Sequence, residues 1–182
     1  MVELLTEKQK KRLLEIARQT IEAYVRTGER LDFEEGDPAL LEEKGAFVTL
    51  HLHKDLRGCI GNIIGQGPLY LTVRDMAIAS ATEDPRFSPV KESELNDIDI
   101  EISVLSIPSK TTDPETIQMG KHGVIVRQGL RGGVYLPQVA TETGWSRDEF
   151  LTSLCAQKAG LAPDAWKKGA ELEIFTAEVF SE

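Results

Sequence analysis

A chain of 182 residues, 41% hydrophobic and 28% charged, has the size and composition of a protein with a real core, which excludes a peptide, a fibrous repeat and wholesale disorder. Its 30 acidic residues outnumber the 21 basic ones and give a net charge of −9, which repels phosphate backbones and disfavours general nucleic-acid binding. The opening segment MVELLTEKQKKR lacks the apolar core of a signal peptide, and no apolar run has membrane-spanning length, so a cytoplasmic protein with no membrane partner is expected. Cys59 and Cys155 form no spacing framework, and no Asn-x-Ser/Thr acceptor is present, in keeping with free thiols in a reducing compartment.

Thr6 opens a T-x-x-Q capping box closed by Gln9, and Leu13, Leu14, Ala17, Ile21, Tyr24 and Val25 recur at helical spacing up to Gly28. Asp37-Pro38 starts a short helical segment through Lys44, with Gly45 placed to end it. The period then changes. Ala46, Val48, Leu50 and Leu52 alternate with Phe47, Thr49, His51 and His53 as a strand, and a turn at Lys54-Asp55 returns the chain as a partner strand over 56–63. Gly67-Pro68 begins a second helix, with Leu69, Val73, Met76, Ala77 and Ser80 inward, that stops at Asp84-Pro85.

Ile98, Ile100, Ile102 and Val104 alternate with Asp97, Asp99, Glu101 and Ser103 in the clearest half-buried strand of the chain, which Pro108 ends. A helical turn over 114–119 leads to a second hairpin, with strands at 123–127 and 134–136 around a glycine-rich turn at 129–133. Ser146 and Glu149 form another capping box with Trp145 and Phe150 at its staple positions, and that helix turns Phe150, Leu151, Leu154 and Cys155 inward before Gly160. A last alternating strand covers 171–180. Hairpins and helices without a strand-helix-strand rhythm define an α+β class, a mixed, largely antiparallel sheet with flanking helices.

Four segments then carry a resemblance. LRGCIG at 56–61, DPRF at 84–87, the pair His122-Gly123 and YLPQV at 135–139 occur, together with GAFVTL at 45–50 and QKAGL at 157–161, in the order found in the AMMECR domain family. The chain resembles in particular component A of the AmmeMemoRadiSam group, which is encoded beside a Memo-like protein and a radical SAM protein. The resemblance implies a single AMMECR-type domain over 1–182 with two unequal lobes sharing a cleft, and Memo-like and radical SAM proteins as candidate partners; no cofactor is expected from the residues. Its pattern falls on Leu56, Arg57, Gly58, Cys59, Ile60, Gly61, Arg86, Phe87, His122, Gly123, Leu136, Pro137 and Lys158, and leaves out His51 and His53.

Two readings of function follow. In the first, Cys59 is the nucleophile of a cleft enzyme: glycines on both sides leave the backbone open, and Arg57 two residues away points to the same strand face. His122 would serve as acid or base, Arg86 would bind a small anionic substrate bidentately, and Gly58 and Gly61 would admit that substrate to the backbone. In the second, the protein is a non-catalytic module presenting the LRGCIG surface to a partner. A turn at Lys54-Asp55 pairs Leu50 with Cys59, which puts the thiol on the apolar face as a small buried hydrophobe, with Gly58 and Gly61 serving a bulge or a close helix contact.

Other signals are weaker. His51 and His53 share one side of a strand, but the same pairing turns Cys59 away from them, so a third ligand is missing and no metal is expected. Gly65-Gln66-Gly67 matches no phosphate-loop fingerprint and reads as a turn. Lys8, Lys10, Lys11 and Arg12 read as a solvated helix face.

Overall fold

The computed structural model describes residues 5–182; residues 1–4, the start of the segment read for a targeting signal, lie outside the described residues. The chain folds as two compact units, one made of residues up to Leu105 together with Glu178–Glu182, the other of Ser106–Ala177.

In the first unit, helix α1 (Glu7–Thr27) starts on the Thr6/Gln9 capping box and ends at Gly28, whose φ of 73° is a left-handed cap that costs glycine nothing. Helix α2 (Pro38–Leu41) is shorter than the Asp37–Lys44 segment expected, because the backbone is extended again at Glu42. Strands β1 (Ala46–Leu52), β2 (Asp55–Asn62) and β3 (Ile98–Leu105) form an antiparallel sheet in the order β2-β1-β3. Helix α3 (Leu69–Thr82) packs with α1 on one face of it. The core is Leu13, Ala17 and Ile21 from α1, Val73, Ala77 and Ala81 from α3, and the inward stripe Val48, Leu50, Ile98, Ile100 and Ile102, all nearly or fully buried. That stripe is the period-2 pattern legible in the sequence.

The second unit holds β4 (Ser109–Thr111), β5 (His122–Gln128), β6 (Arg131–Tyr135) and the first part of β7 (Glu171–Ser181), in the order β6-β5-β7-β4, every described pair antiparallel. The turn of the β5–β6 hairpin is tighter than expected: Gly129 takes a φ of 61°, and Gly132 and Gly133 lie inside β6 instead of in the turn. Helices α4 (Pro137–Thr143) and α5 (Arg147–Ser153) follow, α5 on its Ser146/Glu149 capping box, and a π turn (Leu154–Lys158) extends α5. Their core is Val124, Val126, Tyr135, Phe150, Leu151, Leu154, Cys155 and Leu172, with Tyr135 in ring contact with both Trp145 and Phe150. Among the described residues no helix is long and apolar enough to cross a membrane.

Candidate functional site

The position of Cys59 is decided by a register irregularity that follows the β1–β2 turn. The two turn residues are His53 and Lys54, both at positive φ, 52° and 73°, so the turn falls one residue earlier than Lys54-Asp55. Leu52 then pairs with Asp55 and His51 with Leu56, and an irregularity between Leu50 and His51 shifts the register so that Leu50 meets Gly58 and Thr49 meets Cys59. A one-residue change of register moves a side chain to the other face of a sheet. Cys59 therefore leaves the Leu50 face, on which the turn at Lys54-Asp55 would have put it, and sits half-buried beside Thr49, whose hydroxyl donates to Sγ at 3.2 Å. The same turn takes His53 out of the strand, so His51 and His53 do not form a regular same-face pair.

The two flanking glycines are explained by close approach. A Cβ on Gly58 would lie 2.1 Å from the carbonyl oxygen of Ser80, and one on Gly61 would lie 2.3 Å from the Phe47 ring. Helix α3 presses against β2 so tightly that the Ser80 hydroxyl enters the ladder, donating to Val48 O at 2.6 Å and accepting the Ile60 N–H at 3.0 Å. Val48 and Ile60 are register partners, so a side chain joins them where a backbone bond would otherwise run.

Beside this wedge stands Asp84, its side chain 2% exposed. One carboxylate oxygen accepts the Cys59 N–H at 2.9 Å and the Arg86 Nη2 at 2.7 Å; the other accepts the Arg86 N–H and Nε, each at 3.0 Å. The Arg86 guanidinium, helped by the Cys59 amide, holds the Asp84 carboxyl far below the usual carboxylate range against the opposing effect of burial. Arg86 itself is 55% exposed and gives only its Nε/Nη2 edge to Asp84. Its Nη1 has no partner among the described residues, and Cys59 is among the groups that act on it electrostatically.

Arg57 has a different occupation. Its Nε and Nη2 clasp Glu94 at 2.9 and 3.1 Å, its remaining donors reach Ser88 O and Pro89 O, and its side chain is 11% exposed. Arg57 thus ties β2 to the 88–94 loop and keeps the Glu94 carboxyl below its usual range. The Phe87 ring has the Arg57 and Arg86 guanidinium carbons 6.0 and 5.5 Å from its centre, and a hollow of about 430 Å³ lies between Arg57, Phe87, Ser88, Lys91, Ser93 and Glu94.

The first unit thus brings together Arg57, Gly58, Cys59, Gly61 and Arg86. His122 belongs to the second unit, at the start of β5, where its Nδ1 accepts the Gln118 N–H at 3.1 Å and burial, with a smaller effect of Lys121, lowers its pKa. Cys155 is fully buried in the π turn, and burial pushes its thiol up. Among the described residues no three His, Cys, Asp or Glu side chains group as a metal would require. Thr49, Ser80 and Asp84 were missed as site residues. The signal for Asp84 lay in the DPRF segment, where an aspartate two residues before an arginine across a proline can accept that arginine's own N–H.

An α+β fold with a half-exposed thiol beside a clamped arginine defines a structural class, and the comparisons narrow it. The AMMECR1 family model matches residues 14–180, and the chain belongs to that family. It is 45% identical to a protein of Thermococcus onnurineus, the match covering 93% of this chain and 88% of that one, and 43% identical to a protein of Methanosarcina barkeri, covering 98% and 93%. The crystal structure of the uncharacterized protein PH0010 from Pyrococcus horikoshii superposes with a TM-score of 0.88 at 38% identity, over 99% of this chain and 94% of that one.

Proposed function

We propose that the protein is a cytoplasmic thiol enzyme whose first unit binds a small anionic molecule on Arg86. Its Cys59, having lost its proton to water, attacks an electrophilic centre of that molecule as the thiolate and displaces a leaving group that departs with the bonding electron pair. The observation that carries this reading is the shared Asp84 oxygen, which fixes the Cys59 backbone and the Arg86 guanidinium to one atom while leaving the Nη1 edge of Arg86 open. A reactive cysteine needs a partly exposed position with positive charge at hand, and a purely structural one gains nothing from either. An open guanidinium edge presents donors in the spacing that a carboxylate or phosphate accepts. Gly58 and Gly61 act in this reading by letting β2 approach α3 and Phe47, and Arg57 acts by holding the loop that carries Phe87. His122 is not required by it.

The interaction-module reading, with a Memo-like or radical SAM protein docked on LRGCIG, calls for an apolar surface there. Leu56 is the one large apolar side chain of that segment that is exposed, at 40%, whereas Ile60 is half-buried. That favours the thiol reading.

The test compares alkylation of Cys59 by iodoacetate and by neutral iodoacetamide in a Cys155→Ala background. An anion anchored on Arg86 reaches the thiol preferentially, so Arg86→Gln slows iodoacetate about fivefold more than it slows iodoacetamide, the equivalent of about 1 kcal/mol for a half-exposed ion pair. Alkylation only after unfolding, or equal effects on both reagents, would sink the proposal.

A further inference from the structure

The second unit contains an element whose inner residues, Leu154 and Cys155, serve its core but whose unusual winding the core does not require. Helix α5 passes at Ser153 into the π turn, closed by the Ala159 N–H donating to Leu154 O at 3.1 Å. Turns of this kind are rare and concentrate where function needs a side chain moved. The effect here lies in spacing. In an α-helix, residue i+5 stands about 140° round the axis from residue i, because each residue advances about 100°. A turn bonded i to i+5 brings the two onto one side.

Ser153 and Lys158 are such a pair, and both reach Tyr135 on β6. The Ser153 Oγ lies 3.0 Å from the Tyr135 hydroxyl, and the Lys158 Nζ lies 5.9 Å from the centre of the Tyr135 ring. The strand is pressed onto the turn, since a Cβ on Gly133 would come within 2.7 Å of both Ala159 N and Lys158 Cβ.

Most cations of this unit are paired with a carboxylate, whereas among the described residues Lys121, Arg131 and Lys158 have no such partner, and Arg131 donates to Gly160 O instead. In this unit Lys110, Arg127, Arg147, Lys167 and Lys168 each have a carboxylate at 2.6–3.5 Å. Lys158 is exposed and has no carboxylate partner among the described residues; it stands over the ring of Tyr135, whose hydroxyl meets that of Ser153. Of those hydroxyls, one proton is used between them and the other is left to donate outward.

We propose that Lys158, Ser153 and Tyr135 form a second binding site, for the oxyanion of a small carboxylate or phosphate ligand. Lys158 supplies the charge, the hydroxyl pair supplies a neutral donor, and the π turn exists to bring them together. The site shares no residue with the thiol site.

Amide correlation spectra of the full chain, titrated separately with inorganic phosphate and with acetate, test it. The amides of Gly133 and of residues 153–159 shift and saturate with phosphate, with acetate or with both, which tells the two ligand chemistries apart. Lys158→Gln, at an exposed position, weakens that binding by about tenfold, the loss expected for one charge-assisted contact, while Arg86→Gln leaves it unchanged. Shifts that grow linearly without saturating, or a Lys158→Gln protein that binds like the wild type, overturn the proposal.

Discussion

The two hairpins are built on opposite plans. In β5–β6 the register runs unbroken from Val124 opposite Tyr135 to Gln128 opposite Arg131, so backbone bonds alone align the strands. In β1–β2 the register slips at Leu50/His51, and two side chains from outside the hairpin, Ser80 and Asp84, take up the Ile60 and Cys59 amides. Where the ladder is regular, strand position follows from the hairpin; where it is interrupted, position is imposed by the neighbouring helix and the turn that follows it. The second plan is what seats the candidate nucleophile.

Disrupting the imposed plan has the largest expected effect. Gly58→Ala puts a methyl group into the Ser80 carbonyl, a backbone atom that cannot swing aside, and is expected to cost about 3 kcal/mol in denaturant unfolding. An alanine variant as stable as the parent would mean that α3 does not hold β2.

Asp84→Asn is the next most severe and tests the charge itself. Loss of the carboxylate is expected to cost about 2 kcal/mol at neutral pH, because the buried Cys59 amide and the Arg86 clamp lose a charged acceptor. The folded carboxyl is depressed, so its contribution is full above the unfolded value of about 3.9 and fades as pH falls from there through the lower folded value. Unfolding curves of parent and variant should therefore converge in acid; a constant gap would contradict the pKa assignment.

The smallest effect belongs to the regular hairpin. His122 is partly buried and accepts through Nδ1, so its imidazole resonances should titrate with a midpoint below the usual 6.5 or so. Its lowered folded pKa stabilises the protein above the unfolded value, and this small gain is lost as pH falls through the folded one. A midpoint at or above the free value would show that the ring is not desolvated.

These contrasts also mark what was legible beforehand. The α+β class, both capping boxes and the inward stripes of β1 and β3 followed from periodicity and cap chemistry, because each depends on neighbours within a turn or two of chain. The face occupied by Cys59 did not. It depends on one extra residue in β2, Arg57, which has no partner between the His51–Leu56 and Leu50–Gly58 pairs; the turn at His53-Lys54 alone would pair Cys59 with Val48 on the apolar face. The engagement of Arg57 with Glu94 across 37 residues was equally invisible in spacing, and so was the π turn, whose sequence reads as ordinary helix.

Strand β7 carries a consequence for how the chain is made. Its residues up to Ala177 complete the second unit, whereas Glu178–Glu182 belong to the first, where the Glu178 carboxylate accepts the Leu5 N–H and pairs with Lys10, and Glu182 binds Arg18 and the Ile100 N–H. On a ribosome, the unit that emerges first is therefore the one that finishes last. Its nascent form lacks these closing contacts until residues 178–182 are made, whereas the inserted unit has all its residues once Ala177 is added. A chain cut after Ala177 would hold every residue of the inserted unit and an older unit without its closing strand.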